Sequence, residues 1–177
     1  MTILDAHLPP PQSDMSPRDE SGISDFIVHH TAGPLSQTVS GIDQEHRNIG
    51  DAMIAYNWVI TPNGDVYGGR PTSFVPAAAY GRNGQSVDVV LVGQFQPDAD
   101  GYTGPPSAAQ MTSLEALCLW AHRRFSSIVR TIGHRDVAPM FFPQDESDYS
   151  TACPGQKCYE LLPAMRSRVA HALVAGK

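Results

Sequence analysis

Apolar residues in this chain fall into short runs divided by turn-forming clusters. Phe26-Ile27-Val28 leads into His29-His30 and stops at Ala32-Gly33-Pro34, the pattern of a buried strand ending in a histidine pair. Between Ser36 and Asn48, Val39 and Ile42 lie three apart while Gln44, Glu45, His46 and Arg47 take the polar positions, which predicts a weakly amphipathic helix. Residues 56–60 and 65–69 flank Thr61-Pro62-Asn63-Gly64, a hairpin whose Asn-Gly supplies positive φ. Residues 87–92 are nearly continuously apolar and β-branched, as in a central strand covered on both faces. Ser107 and Gln110 form a capping box ahead of Leu114, Leu117, Cys118, Ala121 and Phe125 on one helix face. Residues 129–133 make a further short strand that delivers His134. Leu162, Met165, Val169, Ala172 and Leu173 mark a last helix, with Pro163 in its first turn. The order β, α, β, β, β, α, β, α predicts a mixed α/β fold, a single mixed β-sheet packed by helices.

Residues 1–22 carry Pro9-Pro10-Pro11, Pro17 and several Ser and Asp without an apolar period, and are expected to form a flexible N-terminal arm before one domain over 23–177. A chain of 177 residues suits one domain and buries a core without staples. With 12 basic and 18 acidic residues the formal charge is −6, which argues against a nucleic-acid partner. No apolar run is long enough to span a membrane. Residues 1–7 lack the basic and apolar regions of a signal peptide, so synthesis and initial residence in the cytoplasm are expected. Three cysteines cannot all pair, and a Cys118–Cys158 bridge stays open.

The candidate chemistry sits where strands run into loops: His29 or His30, His134, and Cys153. Two imidazoles and one thiolate leave a tetrahedral Zn²⁺ with its fourth position open, the arrangement of a catalytic site. Each residue also has a bland reading, as a histidine capping a strand end or as a small buried cysteine. Cys153 as a nucleophile with a histidine base is a third possibility, though Cys153 before Pro154 does not begin an activating helix. His7, His46 and His122 are weaker ligand candidates.

Four segments in register narrow these options: 26–33 (Phe-Ile-Val-His-His-Thr-Ala-Gly), 54–70 with Tyr56-Asn57-Trp58 and Tyr67-Gly68-Gly69-Arg70, Gly133-His134-Arg135-Asp136, and Thr151-Ala152-Cys153-Pro154-Gly155. Together they resemble the zinc-dependent N-acetylmuramoyl-L-alanine amidases of the type-2 family, which share their fold with peptidoglycan recognition proteins. The resemblance runs from about Asp25 to the C-terminal helix and makes 23–177 an amidase catalytic domain, phage endolysin-like. It implies zinc on His29, His134 and Cys153, with Tyr56 and Thr151 as catalytic residues, and with Arg70 and His30 as substrate contacts. Val92 stands where one branch of the family carries a glutamate, which places the chain with the tyrosine-dependent branch.

The implied activity is bacteriolytic: zinc-activated water cleaves the amide between N-acetylmuramic acid and L-alanine of the peptidoglycan stem peptide. A monomer acting on the cell wall after release or delivery is expected. The alternative is a recognition module that binds peptidoglycan without cutting it. Asp136 is a candidate for orienting a ligand or for a simple turn with Arg135. The chain departs from the pattern in two places. Residues 76–83 lack the histidine that relatives often keep before the central strand, and the connection between His134 and Cys153 is unusually long. That insertion holds Phe141-Phe142-Pro143, Asp145, Glu146 and Asp148; it is expected to form a wall or lid, and Asp148 is an alternative donor to Cys153. No appended wall-binding module is expected.

Overall fold

The computed structural model describes residues 1–176, and all of these except Asp148 to the side chain. Strands β1 (Asp25–His30), β2 (Trp58–Ile60), β3 (Val66–Gly68), β4 (Ser86–Leu91) and β5 (Arg130–Gly133) form one sheet in the order β3-β2-β4-β1-β5. Only the β2–β3 hairpin is antiparallel; β2–β4, β1–β4 and β1–β5 are parallel. The helices are α1 (Val39–Asn48), α2 (Ala108–Arg124), α3 (Val137–Phe141), α4 (Glu146–Tyr149), α5 (Gln156–Tyr159) and α6 (Leu162–Ala175). The single mixed sheet packed by helices is therefore the observed architecture, and α3, α4 and α5 are additions that the sequence pattern left as loop.

Strand alternation sorts the core onto two faces. Phe26, Val28, Trp58, Ile60, Val87, Val89 and Leu91 meet Leu114, Leu117 and Ala121 of α2 and Leu162, Met165 and Val169 of α6. On the opposite face Val59, Val90 and Val92 pack on Val39 and Ile42 of α1 with Met53 and Ile54, while Ile27 and Ile132 pack on Ala79 and Val137. The expected capping box is formed, and the Gln110 amide also donates to the carbonyls of Ile60 and Val92, seating the start of α2 on the ends of the sheet. Thr38 caps α1 through the Gly41 amide. No helix among the described residues is long and apolar enough to cross a membrane.

Residues 1–22 correct the expectation of a free arm. Leu4 extends the sheet beyond β3, donating to Val66 O at 2.8 Å and accepting from Gly68 N at 2.9 Å. Arg47 of α1 holds the carbonyls of Pro9 and Pro10, and Gln12 donates to the carbonyls of Arg47 and Asp51. Arg18 reaches the carbonyls of Thr72, Asn83 and Ser86. The proline-rich stretch has few partners of its own, and side chains of the domain supply the donors that its carbonyls need. Cys118, Cys153 and Cys158 are all free thiols, so the Cys118–Cys158 bridge is not made.

Candidate functional site

In open α/β sheets, sites collect beyond the carboxyl ends of parallel strands. His29 is the penultimate residue of β1, and His134 follows the last residue of β5 directly. Cys153 reaches them from the loop before α5, whose Cys153–Pro154 peptide is cis. The ligand atoms of His29, His134 and Cys153 all lie within 4.8 Å of one another.

The loop is pressed against the end of β5. Arg135 N donates to Cys153 O at 2.8 Å, and the Arg135 side chain holds Gln156 Oε1 and Ala152 O. Gly133 is required by this approach, since a Cβ there would lie 2.9 Å from Pro154 Cδ. Asp136 fixes the turn below His134 by accepting from Gly133 N at 2.9 Å and from the Tyr159 hydroxyl at 2.6 Å.

The donor set fits zinc. With bonds of about 2.0–2.1 Å to nitrogen and 2.3 Å to sulfur, the N···S edge of a tetrahedron is about 3.6 Å. His29 Nδ1 and Cys153 Sγ are 3.6 Å apart. The other nitrogen of His29, Nε2, lies 2.8 Å from Asp88 Oδ1, and Ser86 Oγ donates to Asp88 Oδ2 at 2.6 Å. Asp88 N in turn donates to Asn57 Oδ1. Asp88 was not among the residues singled out from sequence. Its signal was there: it is the single acid in the apolar run of β4, on the face that β1 gives to His29.

Burial would lower the pKa of His29, but the Cys153 sulfur and the Asp88 carboxylate override it and bring it to about 9. Burial, aided by His29 and His30, lowers His134 to about 3. Tyr56 packs between two imidazoles, 5.2 Å from the His29 ring and 5.3 Å from that of His46. Its hydroxyl is held protonated far into the alkaline range, first by burial and then by the charges of Cys153 and Asp88. Thr151 Oγ1 accepts from Cys153 N at 3.1 Å, which leaves the hydroxyl proton free to be donated elsewhere.

Two expected substrate contacts are corrected. His30, one residue beyond His29 on the strand, points to the opposite face; its Nδ1 accepts from Phe95 N at 3.3 Å and its pKa falls to about 4, through burial first and then His29 and Arg135. Arg70 is buried, and its guanidinium donates to the carbonyls of Met53, Ile54 and Val75, so its planar fork is used on the chain itself. His46 accepts from Ala55 N, and His122 bonds Thr131, so neither joins the donor cluster. The Asp148 side chain lies outside the described residues.

The family profile described as N-acetylmuramoyl-L-alanine amidase matches residues 19–156, a span holding all three donors and Tyr56. Among curated proteins, the chain is 30% identical over 145 residues to peptidoglycan-recognition protein SC2 of Drosophila simulans, covering 76% of this chain and 70% of that one. It is 34% identical over 121 residues to the endolysin of Enterobacteria phage T3, covering 67% and 78% respectively. Among solved structures, the endolysin N-acetylmuramoyl-L-alanine amidase LysCS from Clostridium intestinale URNW aligns with a TM-score of 0.78 at 23% identity, over 96% of this chain and 95% of that one. Peptidoglycan recognition protein LE in complex with tracheal cytotoxin aligns with a TM-score of 0.74 at 21% identity, over 92% of each chain. Likeness at these structural identities establishes the shared fold.

Proposed function

The chain belongs to the N-acetylmuramoyl-L-alanine amidase family, and from that membership we propose that it is a bacteriolytic, endolysin-like enzyme that hydrolyses the amide between N-acetylmuramic acid and L-alanine of peptidoglycan. The observation that carries this reading is the meeting of His29, His134 and Cys153 within 4.8 Å, with Tyr56 packed against His29. His29 Nδ1, a nitrogen of His134 and the Cys153 thiolate are the atoms to hold Zn²⁺. When bound, zinc lowers the pKa of water towards neutrality and polarises a carbonyl.

The chain's own residues supply the rest. Asp88 keeps the Nε2–H of His29 engaged, so that Nδ1 presents its lone pair to the site. Tyr56 stays protonated at any working pH and donates its hydroxyl proton as a hydrogen bond to the oxyanion that develops from the scissile carbonyl. Thr151, whose oxygen already accepts from Cys153 N, donates to the same oxyanion. Both contacts strengthen as negative charge builds, which is the condition for lowering the barrier rather than only binding substrate.

The test is metal content and fragment mass spectrometry on purified sacculi, comparing the parent with His29→Ala and Tyr56→Phe. His29→Ala is expected to lose both metal and turnover, and Tyr56→Phe to keep metal while losing turnover by about 100-fold. Turnover that survives chelation but stops on thiol alkylation overturns the reading in favour of a cysteine hydrolase. The peptidoglycan recognition relatives favour one other outcome, binding to sacculi without release of L-alanine amino groups, which would make the chain a recognition module.

A further inference from the structure

The insertion after His134 builds an aromatic ladder beside the metal donors. Tyr149 at the end of α4 stacks on Tyr80 with ring centroids 4.8 Å apart and planes 8° from parallel. Phe142 packs on Tyr149 as well, at 5.4 Å with the rings tilted by 49°. Phe142 also fills the space over Gly81, where a Cβ would come within 2.1 Å of its ring and where φ is +72°. The neighbouring Phe141 is clamped by the guanidinium groups of Arg82 at 4.1 Å and Arg130 at 5.2 Å, both of which are paired with buried Asp25. Phe141 and Phe142 thus anchor the segment to the domain, and Tyr80, stacked on Tyr149, is 66% exposed. A large aromatic ring held in place and left open to water is a preorganised contact surface.

Between the ladder and His134 lies an open cleft of about 440 Å³, with Ala78, Asn83, Ser150 and Thr151 along it. Asn83 accepts from the amides of Ala78 and Ala79 through Oδ1, which leaves its Nδ2 as a donor. Among the described residues no Lys or Arg lines the cleft. Such a surface suits a ligand with one apolar face and a rim of neutral hydroxyl and amide groups. It does not suit a stem peptide rich in carboxylates.

On the amidase reading of the metal centre, we infer that the Tyr80–Tyr149 ladder seats the N-acetylated sugar ring on the glycan side of the scissile bond. The ring's C–H face lies on an aromatic face, and its acetamido and hydroxyl groups meet Asn83 and Ser150. The stem peptide then leaves the metal on the side away from the insertion. This gives the chain between His134 and Cys153 a role in substrate selection, since it brings Tyr149 and Ser150 to Tyr80 and Asn83.

The experiment compares a disaccharide-bearing muropeptide with the matching glycan-free D-lactoyl peptide, in the parent, Tyr80→Ala, Tyr80→Phe and Tyr149→Ala. Two quantities are read for each: the ratio of kcat/KM for the two substrates, and their ratio of affinities for metal-depleted protein by calorimetry. The parent is expected to prefer the disaccharide form. Tyr80→Ala and Tyr149→Ala lower that preference by about tenfold, the size of one lost aromatic contact, and Tyr80→Phe retains it. A ratio unchanged in Tyr80→Ala, with the melting temperature also unchanged, overturns the assignment. So does an equal loss on both substrates. Absence of cleavage of either substrate by the parent refutes the amidase reading, and the calorimetric ratio then decides the sugar seat independently.

Discussion

Asp88 Oδ1 lies 2.8 Å from His29 Nε2, with both side chains almost wholly withdrawn from water, and this contact decides which face of the imidazole is available to Cys153. A carboxylate accepting from Nε2 selects the tautomer whose Nδ1 carries the lone pair, and it raises the basicity of that nitrogen. The Ser86 hydroxyl donates to the second carboxylate oxygen, so Asp88 cannot swing away without leaving a buried hydroxyl unpaired.

Asp88→Asn keeps the shape of the side chain and removes the charge that orients His29. Zinc affinity is expected to fall by about 10- to 100-fold with the fold retained. Competition with a chromophoric chelator, alongside circular dichroism, measures this, and an unchanged affinity would show that the backbone alone sets the ring.

His29 and His134 of the site, and His30 on the opposite face, impose opposite pH dependences on the protein with metal removed. His30 and His134, at about 4 and 3, sit below the ordinary 6.5, so below that value the unfolded chain takes up protons that the folded one refuses. Stability is lost on this limb as pH falls from 6.5 towards 4. His29, raised to about 9, contributes stability that is complete below 6.5 and disappears as pH rises through 9. Thermal melts in chelator are expected to peak near neutrality, with His29→Gln losing the alkaline decline. A melting temperature that climbs steadily from pH 4 to pH 9 contradicts this.

Deleting residues 1–12 removes the Leu4 pairing with β3, the two carbonyls that Arg47 holds, and both Gln12 amide contacts. The melting temperature should drop by several degrees, since about 1 kcal/mol corresponds to about 2–4 °C in a domain of this size. Calorimetry checks it, and an unshifted transition would restore the picture of an unattached arm.

Local pattern made much of this molecule legible. The capping box at Ser107, the Asn63-Gly64 hairpin and the apolar run of β4 each state their conformation within a few residues. His29 and His134 were readable because each sits at a strand end within a recognisable segment. Cys153, expected at a strand end, lies in the loop between α4 and α5 and was readable from its segment alone. What escaped depends on partners distant along the chain. Asp88 meets His29 across 59 positions, and nothing around it in sequence names that partner. Arg70 looks like any strand-end arginine until the backbone turns of residues 53–54 and 75 bring three carbonyls to it. The prolines of the first segment suggest freedom, because the donors that hold them belong to α1.

The sheet places β5 directly alongside β1, the last strand made against the first. A nascent chain therefore keeps one edge of β1 uncovered, with His29 at its tip, until nearly the entire polypeptide has emerged from the ribosome. A product truncated or clipped ahead of Cys153 retains at most two of the three donors. The three-donor cluster therefore exists only in a molecule that carries its chain past residue 153.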